Sequence, residues 1–77
     1  MTVDPGSEIA PYIQLAMILR ARIESGDLPP GARLPSIVEL SATYSVARVT
    51  ANKSLRLLVD EGLVVVSRGR GTYVRRK

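Results

Sequence analysis

Arg48, Asn52, Lys53 and Arg56 recur at a spacing that places them together on one stripe of a 3.6-residue helix. These side chains suit the edges of a DNA duplex. Arginine can fork onto the O6 and N7 of guanine, and asparagine can pair twice with adenine. Arg48 and Asn52 are therefore the candidates for base contacts. Thr50, Lys53 and Arg56 are the candidates for phosphate contacts, which set register and affinity but not sequence. A second cluster, Arg68-Gly69-Arg70-Gly71, alternates cations with glycine. A tight turn there would project Arg68 and Arg70 toward a backbone or a minor groove. As a phosphate-cradling loop this cluster is a weak match, since no third glycine or following helix completes the fingerprint. As an RNA-binding arginine–glycine tract it is a single copy. The competing reading of the first cluster is a helical hairpin whose charged face is merely solvated.

The elements that would hold these residues have clear punctuation. Ser36 and Glu39 form the reciprocal capping box that opens a short helix, expected to run to Thr43 with Leu40 inward. Tyr44-Ser45-Val46 is expected to turn the chain. A longer helix then runs from about Ala47 to Glu61, carrying an apolar stripe of Ala51, Leu55, Leu58 and Val59, and Gly62 stops it. Upstream, Pro11 can open a helix in which Tyr12, Leu15, Ala16, Leu19 and Ile23 share one face, with Gly26 at its end. Ile13, Met17 and Ile18 lie off that stripe. They are either scattered exposed hydrophobes or a second face buried against a partner. The off-stripe Leu57 belongs with them as a patch that could serve a dimer. Pro30-Gly31 fits the centre of a type II turn, and Arg33-Leu34 a very short strand. After Gly62 the period changes. Leu63–Ser67 and Thr72–Arg75 read as the two strands of a hairpin with arginines at its tip. Two strands alone are marginal, so they must pack on the helices. Residues 1–10 read as a poorly ordered lead-in, 11–75 as the domain, and 76–77 as a basic tail or the start of a linker.

The chain has 77 residues, enough for one domain, with a formal net charge of +4. The charge is uneven. Residues 1–46 hold three basic side chains against five acidic ones, whereas residues 47–77 hold eight against two. A positive half on a folded domain is the footprint of a polyanion partner. The chain lacks both histidine and cysteine, which removes zinc fingers, histidine acid–base chemistry and the usual triads. The seven carboxylates form no recognisable catalytic pair or metal set. No catalytic residue, metal or cofactor is therefore expected, and an enzyme is the poorest class. Three scattered tyrosines make no stacking platform for single strands. No apolar run reaches membrane-span length, and the N-terminus lacks the order of a signal peptide. The expected location is the cytoplasm, at the bacterial nucleoid.

The order helix, short strand, helix, reading helix, hairpin resembles a winged helix-turn-helix: mainly α, three helices plus a two- or three-stranded antiparallel wing. The residues resemble, more narrowly, the N-terminal DNA-binding domain of GntR-type bacterial repressors. The likeness runs from Tyr12 to Val74. It includes Gln14-Leu15-Ala16, Leu19-Arg20, Pro30-Gly31, Leu34-Pro35-Ser36, Glu39-Leu40, Tyr44, Val46, Arg48, Thr50 and Leu55. Glu61-Gly62-Leu63-Val64 and Gly69-Arg70-Gly71-Thr72-Tyr73-Val74 close it. The resemblance implies binding of a palindromic double-stranded operator by a homodimer, as a repressor answering to a small effector. It implies DNA contacts at Arg48 and Thr50, and a minor-groove contact by Gly69, Arg70 and Gly71. The full candidate set is Ser36, Ala47, Arg48, Thr50, Asn52, Lys53, Arg56, Arg68, Gly69, Arg70, Gly71 and Thr72.

Three positions depart from the family pattern. Val38 stands where an arginine often touches DNA. Ala47 replaces the usual capping serine, which leaves capping to Ser45 or water. Asn52 replaces a frequent basic residue. The length leaves no room for an effector domain, so the chain is expected to be an excised domain or a minimal regulator. The departure at Val38 motivates an alternative: a winged-helix protein-interaction module with little DNA affinity, docking through Ile37, Val38 and the first helix.

Overall fold

The computed structural model describes residues 2–76. Three helices, α1 (Pro11–Glu24), α2 (Ile37–Tyr44) and α3 (Arg48–Asp60), precede a hairpin of β1 (Val64–Ser67) and β2 (Gly71–Val74). This is the expected winged helix-turn-helix, with element ends shifted by about one residue from those read in the sequence. One core joins all of the elements. Leu15, Ala16 and Leu19 of α1, Leu40 of α2, Ala51, Leu55 and Leu58 of α3, and Val64 and Val74 of the hairpin are buried together.

Pro11 occupies the first turn of α1, and Ala10 before it offers no side-chain cap. Gln14 does the tying instead. Its amide nitrogen donates to the carbonyls of Asp4 (2.8 Å) and Ile9 (2.7 Å), and its oxygen accepts from the Asp4 amide (2.7 Å). The lead-in is thereby folded back along α1, with Val3 packed against the core. That course explains a correction. Ile18, expected to lie off the buried stripe, is only 6% exposed, and it lines the same cleft as Thr2, Asp4 and Ile9. Met17 remains out in solvent, at 48% exposure.

The Pro30-Gly31 turn forms as expected. Ala32 donates to the Pro29 carbonyl (2.9 Å), and Gly31 takes the positive φ of 84°. Arg33 then bridges to Tyr73 antiparallel, and Leu34 N–H donates to Thr72 O (2.8 Å). The short strand is thus a single bridge at the edge of β2.

The α2–α3 corner yields a second correction. Ser45, one of the expected caps of the reading helix, instead ends α2 in the left-handed region (φ 54°, ψ 47°). Ala47 is the residue at the N-cap of α3, and no side chain bonds there. Ser45 stands two residues too far upstream to reach the first amides of α3. At the other end of α3 the stop is complete. Gly62 N–H donates to Val59 O (2.9 Å) and Leu63 N–H to Leu58 O (3.1 Å), the paired bonds of a Schellman motif, with Gly62 at φ 77°. The chain enters β1 directly, and Val64 pairs with Val74 while Ser67 pairs with Gly71.

Ala51, Leu55 and Leu58 face the core as read, but Val59 does not: it is 37% exposed. On the helical wheel it falls about a quarter-turn from the centre of the buried arc. The fourth buried residue of α3 is instead Ser54, on the opposite flank of the arc and fully buried at 0%. The Ser54 hydroxyl donates to the Tyr12 carbonyl of α1 (2.7 Å), with the Thr50 carbonyl 3.1 Å away.

Candidate nucleic-acid interface

With Ala51, Ser54, Leu55 and Leu58 turned inward, the helical period sends Arg48, Asn52, Lys53 and Arg56 outward, and all four are exposed. Asn52, Lys53 and Arg56 line one shallow depression together with Val49 and Tyr12. Lys53 Nζ stands 5.7 Å from the Tyr12 ring centroid, near enough for the ring face to attract the ammonium. Thr50 is half-buried at the flank of α3. Ala47 lies exposed at the helix start, where the first amides of α3 have no side-chain acceptor.

The capping box at α2 is present in both directions. Ser36 Oγ accepts from Glu39 N–H (3.1 Å), and a Glu39 carboxylate oxygen accepts from Ser36 N–H (3.1 Å). Donation from the Ser36 amide, and secondarily from the Ser36 hydroxyl, holds the Glu39 carboxyl below its ordinary pKa. Ser36 is half-buried. It lines a cleft with Arg33, Ile37, Val38, Gly71 and Thr72, floored in part by Leu55 of α3. The base of the wing, the start of α2 and the middle of α3 therefore meet in one place.

At the wing tip Arg70 N–H donates to Ser67 O (3.0 Å). Gly69 takes the positive φ of 75° inside that turn, and Arg68 and Arg70 project on either side, both exposed. The Arg70 carbonyl accepts from the Tyr73 hydroxyl (3.3 Å). Gly71 has a φ of 123°, and a Cβ placed there would lie 2.9 Å from Arg33 Nε. Arg33 thus lies across the backbone of the wing. Sequence reasoning placed it in a strand but not among the candidates. The signal was there: a cation two residues after a type II turn, in a segment short enough to pair only once.

Among the described residues the ion pairs are Arg20–Glu61 (2.6 Å) and Arg22–Asp27 (2.7 Å). No carboxylate of the described residues comes within pairing distance of Arg33, Arg48, Lys53, Arg56, Arg68 or Arg70. No group of metal-ligating side chains is present among them either. The acidic side chains that do pair tie elements together: Glu61 the end of α3 to α1, and Asp27 the loop after α1 to its last turn.

The sequence profile of bacterial regulatory proteins of the gntR family matches residues 11–74. The chain belongs to the GntR family. The histidine utilization repressor of Klebsiella aerogenes is 42% identical over 72 residues, covering 92% of this chain but 30% of that protein. Among solved structures, YtrA from Sulfolobus acidocaldarius, a GntR-family transcription factor, superposes with a TM-score of 0.90 at 39% identity. That match covers 97% of this chain and 79% of the other. The AraR DNA-binding domain in complex with operator ORX1 superposes with a TM-score of 0.88 at 29% identity, covering 96% and 94% of the two chains. This GntR chain spans about 30% of the length of the curated relatives it matches first.

Proposed function

We propose that this chain is the DNA-reading domain of a transcription repressor. In this reading α3 enters the major groove of a double-stranded operator, and the 68–71 wing meets the adjoining minor groove or backbone. The observation that carries it is the row of exposed cations and one amide along α3, none paired with a carboxylate among the described residues, beside a wing whose tip carries two more. Such a surface matches the charge and the groove edges of a polyanion. The named repressor among the relatives and the operator complex of the AraR domain support the same reading. Arg48 and Asn52 read bases. Thr50, Lys53, Arg56 and Ser36 meet phosphates. Ala47 lets the helix start approach the backbone closely, and Arg68, Gly69, Arg70, Gly71 and Thr72 form the wing contact. Tight binding takes two copies on half-sites about one DNA turn apart, hence a palindromic operator.

The test is selection of bound duplexes from a random pool, followed by gel-shift titration. The expected result is a palindromic consensus and tight binding to it. A pool that stays random, with no shift at low salt, overturns the proposal. It would favour a second reading, a protein-docking module, for which the specific observation is Val38: 54% exposed on the first turn of α2, beside half-buried Ile37.

A further inference from the structure

We infer that Val49 reads the C5-methyl group of a thymine in the operator. The inference rests on the DNA-reading proposal above and adds a specificity-determining residue to it. Val49 is 64% exposed, more than any other large hydrophobic side chain among the described residues. A single exposed valine is ordinary on a protein surface. Its position makes this one informative. It is the second residue of α3, in the first turn, and the helical period puts it close to opposite the buried arc of Ala51, Ser54, Leu55 and Leu58. It therefore stands at the crest of the outward face, and it lines one depression with Asn52, Lys53 and Arg56. Tyr12, Leu57 and Asp60 complete the lining, and Asn52, Lys53 and Arg56 each have a use against DNA.

Neither helix formation nor packing accounts for a valine at this place. A β-branched side chain loses rotamer freedom in a helix, and Val49 is not part of the core cluster or of the layer packed on it. A major groove offers one apolar feature that such a group can meet, the thymine methyl. Asn52 follows Val49 by three residues, about 4.5 Å along the helix axis, between one and two base-pair steps of about 3.4 Å. The adenine taken by Asn52 and the thymine touched by Val49 are therefore expected within one or two base pairs of each other. The valine would gain its selectivity by excluding water from the methyl group, and cytosine, which has no such group, would be refused.

The experiment uses a duplex recovered from the random-pool selection. Each thymine is replaced singly by deoxyuridine, which keeps every hydrogen-bonding group and removes only the methyl. Dissociation constants are measured for the wild-type chain and for Val49→Ala, an exposed-site change that leaves the core untouched. The wild type is expected to weaken about fourfold at one thymine per half-site, the value of one methyl withdrawn from an apolar contact. Val49→Ala is expected to weaken less than about twofold at that same position, and to match the wild type in its response at every other thymine. A flat scan for the wild type overturns the inference while leaving DNA binding intact. So does an equal loss in both proteins, or a selected operator without thymine in the half-site. Failure to bind any duplex would instead remove the DNA-reading proposal, and this inference with it.

Discussion

At the scale of single residues, the side chains divide into those that hold the body together and those left free. Ser54 belongs to the first kind. Its buried hydroxyl joins α3 to α1 through the Tyr12 carbonyl, and Ser54→Ala should lower stability by about 0.5–1.5 kcal/mol in a urea melt. DNA binding of that variant, assayed under folded conditions, should be unchanged. Arg48 belongs to the second kind. Exposed and without a carboxylate partner among the described residues, it adds little to the fold. Arg48→Ala should leave the unfolding midpoint where it is, yet cost about 1–3 kcal/mol of operator binding and relax preference at one base pair. Equal binding to all operator variants before and after the change would remove Arg48 from the base-reading set. Gly71 stands between the two kinds. Arg33 could swing away from a new Cβ, but the φ of 123° would remain. Gly71→Ala should therefore cost about 1–3 kcal/mol, read as a lower melting temperature.

At the scale of elements, the helix ends decide what could be read in advance. The Ser36–Glu39 box, the Pro30-Gly31 turn and the Gly62 stop were legible because each rests on local chemistry within a few residues. The outward row of Arg48, Asn52, Lys53 and Arg56 was legible for a similar reason, since helical period alone separates it from Ala51 and Leu58. What was not legible depended on distant partners. Ser54 looks like any surface serine until Tyr12 is brought beside it. Ile18 looks unburied until Gln14 folds the lead-in back. Arg33 looks incidental until the wing passes beneath it. The bare start of α3 leads to a prediction at this scale: Ala47→Ser supplies the missing acceptor and should stabilise the fold by about 1 kcal/mol in thermal melts. The start of α2 behaves differently with pH. The Glu39 carboxyl is depressed in the folded chain, so its contribution is full above its ordinary unfolded pKa and is lost as pH falls through the lower folded one. Acid melts of the wild type should lose stability across that interval, and Glu39→Gln, which keeps an acceptor but not the charge, should lose less.

For the molecule as a whole, the ion pairs and the outward cations of α3 and the wing lie on different elements. The carboxylates that pair sit at the end of α3 and in the loop after α1, while α3 and the wing carry cations without such partners. Operator affinity should accordingly fall steeply with salt, with a logarithmic slope of about −0.9 per phosphate neutralised. Removing Arg56 should flatten that slope by about one unit without altering which sequence is preferred. The join between α3 and the wing has a further consequence. The Schellman turn at Gly62 locks the helix to β1, and the two hydrogen bonds from Arg20 to Glu61 brace the same corner from α1. The distance from the reading helix to the wing tip is therefore set before any duplex arrives. The protein becomes a caliper of fixed opening. Duplexes whose grooves already match that opening would be taken as they are. Stiffer or wider ones would have to distort to fit, so base pairs that no side chain touches would still influence affinity through their bending stiffness.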